Sequence, residues 1–258
     1  MGDIASGMVR LIGYDDLLVF DVPERWVALS SAAVGGGLVW PRFVVNVGVG
    51  AGFLRTDLDA YVAERLAPVG LAPGPVSALL TAADVSLWTL GEADGVRAWA
   101  TVATTKPTWA AHPDARAVSS CHIRREGDGC DTREMHGGAA GPDDPVGHGA
   151  PPPPGTVNIV VAVPASLTTS ALVQAVGTAT EAKAQALLEA GVPGTGTASD
   201  ALVVLCPDSA AAGEEPVPFA GVRSPWGHRI ARAVHAAVAE GMHLSPWPYV
   251  AADESRVW

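Results

Sequence analysis

Apolar residues gather in short blocks along the first half of the chain. Leu17–Phe20, Trp26–Leu29 and Phe43–Val49 are each rich in Val or Leu and bounded by Pro, Gly or charge, which predicts three strands. Asp57–Leu66 has the spacing of a short helix, stopped near Pro68 and Gly70. Val76–Leu80 and Val96–Ala103 read as two further strands, with a helix expected over Ala82–Leu90 between them. From Lys106 to Pro154 apolar periodicity is lost. The stretch runs through HPDAR, REGDGC and HGGAAGPDDP into the prolines Pro151 to Pro154. Backbone of this composition has nothing to bury, which predicts a long, flexible surface loop over 106–154, with Val118–Arg124 a short ordered piece inside it.

Periodicity returns with a strand at Thr156–Val163 and a helix at Ser170–Ala190, closed by Gly191 and Pro193. Asp200–Leu205 reads as a strand and Arg229–Glu240 as the last helix. The order strand–helix–strand–helix predicts a single α/β domain with a mixed β-sheet flanked by helices; an α+β layered sandwich is the alternative.

Composition narrows the class of partner. Hydrophobic residues make up 48% of the 258 and charged residues 17%, enough to build a core. The net charge of −11, with no basic run, argues against nucleic acid and against an anionic membrane surface. No apolar run reaches the roughly 18 residues of a membrane span, and the opening MGDIASGMVRLIGYDD lacks the basic start of a signal peptide. Cys121, Cys130 and Cys206 form no even disulfide framework, which suits a cytoplasmic protein.

Three segments carry candidate chemistry. In Leu29–Leu38, Ser30 and Ser31 leave a strand and meet Gly35, Gly36 and Gly37; this is either a ligand-cradling loop or a tight turn. In Val192–Asp200, Thr195, Thr197, Ser199 and Asp200 cluster at a helix–strand junction, where sites in α/β proteins are often found. On the helix, steps of 100° align Leu172, Val176, Ala179, Lys183 and Leu187. Lys183 falls inside an apolar stripe and must reach water or a buried partner. Thr180 lies at the edge of the stripe and Glu181 on the far face. Asn46 and Asn158 interrupt apolar strands as structural ties or ligand contacts, and Asp84 follows a strand at an expected helix start. His228 precedes the last helix as a surface residue or an acid–base group. Cys121, His122, Cys130 and His136 match no standard zinc spacing, so no metal site is expected.

Taken in order, these segments resemble the adenosylcobinamide amidohydrolase family, CbiZ. The resemblance rests on Ser30-Ser31-Ala32, Gly36-Gly37-Leu38, Arg42, Val45-Asn46 and Thr81-Ala82-Ala83-Asp84-Val85. It continues through Gly155–Val160, Ala171-Leu172-Val173, Thr178–Lys183, Gly194–Thr197 and Asp200. It covers about residues 17 to 240 apart from the 106–154 loop, which is atypical, as is Ala103–Thr108.

The resemblance implies hydrolysis of the amide joining aminopropanol to the corrin ring, giving adenosylcobyric acid and 1-amino-2-propanol in corrinoid salvage. The cobalt then belongs to the small-molecule corrinoid substrate, and no cofactor is implied; a homo-oligomer is compatible with this reading. Such chemistry needs an attacking oxygen, oxyanion donors and a proton donor to the amine. Ser30, Ser31 and Thr197 are the candidate nucleophiles, with an activated water as alternative. Backbone N–H groups of Gly35, Gly36 and Gly37 are the oxyanion candidates, and Glu181, Lys183 and Asp200 the proton carriers. Asn46, Asp84, Asn158, Thr180 and Thr195 are the remaining substrate-binding candidates.

Overall fold

A computed structural model describes residues 8–50, 52–71, 74–111, 155–213 and 215–247. Within them the strands are β1 (Arg10–Tyr14), β2 (Leu17–Asp21), β3 (Trp26–Ser30), β4 (Gly37–Val39), β5 (Phe43–Gly48), β6 (Val76–Thr81), β7 (Thr89–Ala93), β8 (Val96–Ala103), β9 (Thr156–Ala162) and β10 (Ala201–Pro207). The helices are α1 (Leu58–Leu66), α2 (Thr169–Glu189), the single turn α3 (Ser209–Ala212) and α4 (Pro225–Leu244).

The strands divide into two sheets, both mixed. One has the order β1-β2-β5-β6, with only β5 and β6 parallel. The other has the order β4-β3-β10-β9-β8-β7, with only β9 and β10 parallel. Each parallel pair is joined by a helix, α1 for the first and α2 for the second, because parallel neighbours need a crossover.

Three apolar clusters define four layers. Val62 and Tyr61 of α1 meet Leu17, Val19, Val45 and Val47 on the outer face of the smaller sheet. Leu18, Phe20, Val44 and Leu79 on its inner face meet Trp26, Ala28, Trp99, Val160 and Val203 of the larger sheet. Phe20 and Trp99 pack edge-on there with ring centroids 5.4 Å apart. The far face of the larger sheet packs under α2 and α4 through Val102, Ile159, Val204, Leu172, Ile230 and Val234. A strand covered on both faces has no polar side to present, so every residue of β9 is buried.

The α/β class with helices flanking mixed sheet is as the sequence predicts. The helix expected over Ala82–Leu90 is not formed. Asp84 instead caps a single 3₁₀ turn, Val85–Leu87, and β7 begins at Thr89. Burial alternates along β7 from Thr89 to Gly91, and α4 crosses so closely that a Cβ on Gly91 would lie 2.0 Å from the Ala233 carbonyl oxygen. Tertiary contact decides this segment. Strands β1 and β4 are additional to the predicted set. Helix α4 starts four residues before Arg229, with Ser224 capping the N–H of Gly227 at 3.0 Å and Pro225 in the first turn. The expected loop lies outside the described residues from His112 to Pro154, and with it Val118–Arg124.

Candidate functional site

The two sheets are tied together by side chains that interrupt their apolar strands. Asn158 on β9 donates to Asn46 Oδ1 on β5 and to the Leu80 carbonyl on β6, each at 2.9 Å. Asn46 donates in turn to Thr101 Oγ1 on β8 at 2.9 Å, and Asn158 Oδ1 accepts from the Ala201 N–H at 3.1 Å. Both asparagines are buried and committed to this network. Leu80 and Ala201 belong to opposite sheets, so Asn158 fixes their separation.

Above this tie opens a cleft of about 340 Å³ lined by Ser31, Ala33, Phe53, Arg55, Leu58, Leu80, Ser199, Asp200 and Ala201. Asp200, just before β10, is its most heavily bonded group. Its Oδ1 accepts from the Val157 N–H at 2.8 Å and from Thr197 Oγ1 at 2.6 Å. Its Oδ2 accepts from the Thr197 N–H at 3.0 Å and from Lys183 Nζ at 2.5 Å. The Lys183 and Asp200 side chains are 12% and 13% exposed. Lys183 therefore meets the need for a partner that its place on α2 creates. It sits beside the most buried line of that helix, which runs through Ala171, Ala175, Ala179, Ala182 and Ala186; Val176 is only partly buried. Gly196 makes room for the pair, since a Cβ there would lie 2.3 Å from Asp200 Oδ2 and 2.6 Å from Lys183 Nζ.

The loop is held from below by Thr108. Its N–H donates to the Gly196 carbonyl at 2.8 Å, and its carbonyl accepts from the Thr195 N–H at 2.9 Å. Thr195 thus contributes backbone to the loop. Ser199 Oγ lies 2.7 Å from Thr156 Oγ1.

The two serines differ. Ser30 is buried, its hydroxyl 2.8 Å from that of Ser77 and accepting from the Ala32 N–H at 3.1 Å. Ser31 is exposed at the cleft, but its Oγ accepts from the Leu202 N–H at 2.9 Å, extending the pairing of β3 with β10. Neither hydroxyl is bonded to a charged group. The glycines have a packing reason. Gly35 and Gly37 take positive φ, +62° and +95°. A Cβ on Gly35 would meet the Val76 carbonyl at 2.1 Å, and one on Gly36 the Ala32 carbonyl at 2.6 Å. Together they fold a tight turn between β3 and β4.

Four candidates lie apart from this cleft. Thr180 and Glu181 are on the exposed side of α2, where the Thr180 hydroxyl donates to the Val176 carbonyl. Asp84 lines a separate opening of about 330 Å³ with Asp15, Asp16 and Gly48–Gly50. The Ser86 hydroxyl and N–H, both donating to Asp84, hold its carboxyl below the usual range. His228 does not precede the last helix but lies in the first turn of α4, which starts at Pro225, and lines a groove with Glu189 and His235. Among the described residues no group of three or more His, Cys, Asp or Glu side chains is placed to hold a metal ion. Cys121, His122, Cys130 and His136 lie outside them.

Sequence reading passed over Phe53, Arg55 and Leu58, which line the cleft from the connection between β5 and α1. Nothing in Phe53–Leu58 carries a motif; only a run of an aromatic, a cation and an acid just before a helix marks it. It equally missed Ser77 and Thr101, the partners of Ser30 and Asn46.

The model of a family described as adenosylcobinamide amidohydrolase matches residues 6–247. An adenosylcobinamide amidohydrolase of Methanosarcina mazei is 39% identical over 95 residues, 35% of this chain and 48% of that protein. One of Halobacterium salinarum is 43% identical over 112 residues, 42% of this chain and 44% of that protein. The chain thus spans about half the length of the curated relatives it matches. A crystal structure of a Pyrococcus horikoshii OT3 protein covers 92% of this chain and 83% of its own at 13% identity, with a TM-score of 0.39. That likeness is too remote to bear on the site.

Proposed function

The chain belongs to the adenosylcobinamide amidohydrolase family, and from that premise we propose that it hydrolyses the aminopropanol amide of adenosylcobinamide. The products are adenosylcobyric acid and 1-amino-2-propanol, which places the reaction in corrinoid salvage. The observation that carries this reading is the family match over residues 6–247. The cleft adds chemical support, because its one acidic lining residue, Asp200, is hydrogen-bonded to the Thr197 hydroxyl and the Lys183 ammonium next to it.

A cleft of about 340 Å³ is too small for a corrin macrocycle. In this reading one amide arm enters and the ring stays at the mouth. Thr197 is the attacking group. Of the three nominated hydroxyls it alone donates to a carboxylate, at 2.6 Å, the arrangement a nucleophile and its base require. As its oxygen adds to the amide carbon, its proton passes to Asp200. The C–N bond then breaks and the amine leaves with a proton relayed through Asp200 and Lys183, leaving an ester on Thr197. Water hydrolyses that ester to the acid and restores the threonine hydroxyl. Lys183 keeps Asp200 in position through the ion pair of its ammonium with Oδ2.

The chemistry proposed here calls for no metal or cofactor of the enzyme's own; cobalt enters with the substrate. The charge of −11 supports a small-molecule partner rather than a nucleic acid, and the lack of an even cysteine framework supports a cytoplasmic role. No helix among the described residues is long and apolar enough to cross a membrane.

The test is to incubate the purified protein with adenosylcobinamide and quantify released 1-amino-2-propanol. Stoichiometric release with adenosylcobyric acid is expected. Corrinoid binding without release points to a non-catalytic corrinoid carrier; neither binding nor release points to a different amide.

A further inference from the structure

Asp200 is the one member of the Thr197–Asp200–Lys183 unit among the residues that line the cleft. Phe53, Arg55 and Leu58 line it from the segment that leads into α1, while Ser199 and Asp200 lie just before β10 and Ala201 begins that strand. Arg55 is the only cation among the lining residues and Asp200 the only anion.

The Arg55 guanidinium, 36% exposed, has two acidic partners. Its Nε and Nη2 donate to the two Asp57 carboxylate oxygens at 2.9 and 2.5 Å. Its Nη1 and Nη2 donate to Glu64 at 2.5 and 3.0 Å. The group also lies 5.2 Å from the centroid of the Tyr61 ring, which packs on Phe53 at 4.8 Å. Arginine spends rotamer freedom when it binds a ligand, and these partners lower that cost. A guanidinium has five N–H groups. These bonds use four, and the fifth, on Nη1, has no acceptor among the described residues.

The charge around this spare donor decides what it can take. Asp57 and Glu64 more than offset the guanidinium, and Asp200 stands on the other side of the opening. An anion would meet net negative charge, whereas a neutral oxygen acceptor would not. The chemistry is that of a carboxamide carbonyl.

We infer that Arg55 is a specificity-determining residue that donates its spare N–H to the carbonyl oxygen of a neutral carboxamide on the substrate. This rests on the reading that the substrate is a corrinoid amide. Arg55 takes no part in proton transfer; it sets which arm of the substrate enters and how deeply.

The experiment compares the wild-type chain with Arg55→Met and Arg55→Lys. KM and kcat are measured on adenosylcobinamide, and Kd by quenching of tryptophan fluorescence with the same compound. Arg55→Met raises KM and Kd about tenfold, the scale of one lost hydrogen bond from a charged donor, and leaves kcat within about threefold. Arg55→Lys falls between, because one ammonium cannot serve both carboxylates and still donate fully. It also supplies the test if the Met variant does not fold. The change persists at high salt, since the acceptor is neutral. Wild-type KM and Kd in the folded variants overturn the inference. A fall in kcat at unchanged KM does so too, by making Arg55 a support for the loop, as does an effect that disappears in salt. If the wild-type chain binds the corrinoid without releasing aminopropanol, the hydrolytic reading fails, while a weaker Kd in Arg55→Met still upholds the contact. If it does not bind, both fail.

Discussion

Lys183 Nζ and Asp200 Oδ2 meet at 2.5 Å across the gap between helix α2 and the start of strand β10. The lysine side chain reaches out of an apolar helix face to do so, and both groups are largely withdrawn from water. Replacing Lys183 with Met leaves Asp200 three other donors, from Thr197 and Val157. The expected loss of stability is therefore about 1–3 kcal/mol, below that of an orphaned buried charge. Turnover per folded molecule should fall by about a hundredfold or more. Denaturant titration beside steady-state kinetics checks both. Near-normal turnover would make the pair a structural tie.

Gly196 is the space that lets this pair close. Gly196→Ala should fold, with a cost of about 1–3 kcal/mol for overpacking, and should lower activity at least about tenfold by pushing Lys183 and Asp200 apart. The informative measurement is the double variant. In a Lys183→Met background the alanine should cost much less activity than it does alone, because residues in contact do not add. Additive losses would mean that Gly196 acts elsewhere.

Thr197 separates a threonine nucleophile from an attacking water. Thr197→Ala should lose about a thousandfold in kcat, whereas Thr197→Ser, which keeps the hydroxyl, should stay within about tenfold of the wild type. Trapping of a corrinoid ester on Thr197 by acid quench and mass spectrometry is the direct check. A loss of only a few fold in the alanine variant would assign the attack to water.

Cys206 provides a prediction about pH. It is buried on β10, and burial pushes its thiol up to about 11. At pH 8 only about one thiol in a thousand is then ionised, and the thiolate is the reactive form. Iodoacetamide at pH 8 should leave the Cys206 peptide unlabelled in the native protein and label it after denaturation. Rapid native labelling would show that β10 opens.

Metal removal tests the chemistry assigned to the cleft. Activity should survive prolonged EDTA treatment unchanged, because Thr197, Asp200 and Lys183 supply the attacking oxygen and the proton transfers. Loss on chelation and recovery with zinc would direct attention to Cys121, His122, Cys130 and His136.

Strands buried on both faces were the most legible part of the chain. Thr156–Val163 and Asp200–Leu205 coincide with β9 and β10 to within two residues at each end, because a continuous apolar run between turn residues has few other readings. β7 was not legible. Its helix-like run, Ala82–Leu90, becomes a turn and a strand only when α4 lies across Gly91. Thr197, Lys183 and Asp200 are readable as polar residues at a junction and on an apolar face, and they converge on one another beside the cleft. Asn46 and Asn158 read as ties or contacts, and their bonds to one another, Thr101, Leu80 and Ala201 tie the two sheets. Arg55 was invisible, because its role depends on which sheet edge the Phe53–Leu58 segment crosses, and local pattern does not encode that.

The pairing of Ala103 with Thr156 closes a hairpin between β8 and β9 around a connection of about fifty residues. The ladder runs unbroken from Arg97–Ala162 to that last pair, so the register is complete before the connection begins. A hairpin is ordinarily the quickest part of a sheet to form. Here its ends must find one another through a long excursion, at an entropic cost that grows with the logarithm of its length. This chain should therefore refold slowly for its sheet content. Replacing residues 112–154 with a short Gly-Ser link should accelerate refolding while leaving the unfolding rate nearly unchanged, since the link alters the search and not the pairs that must break.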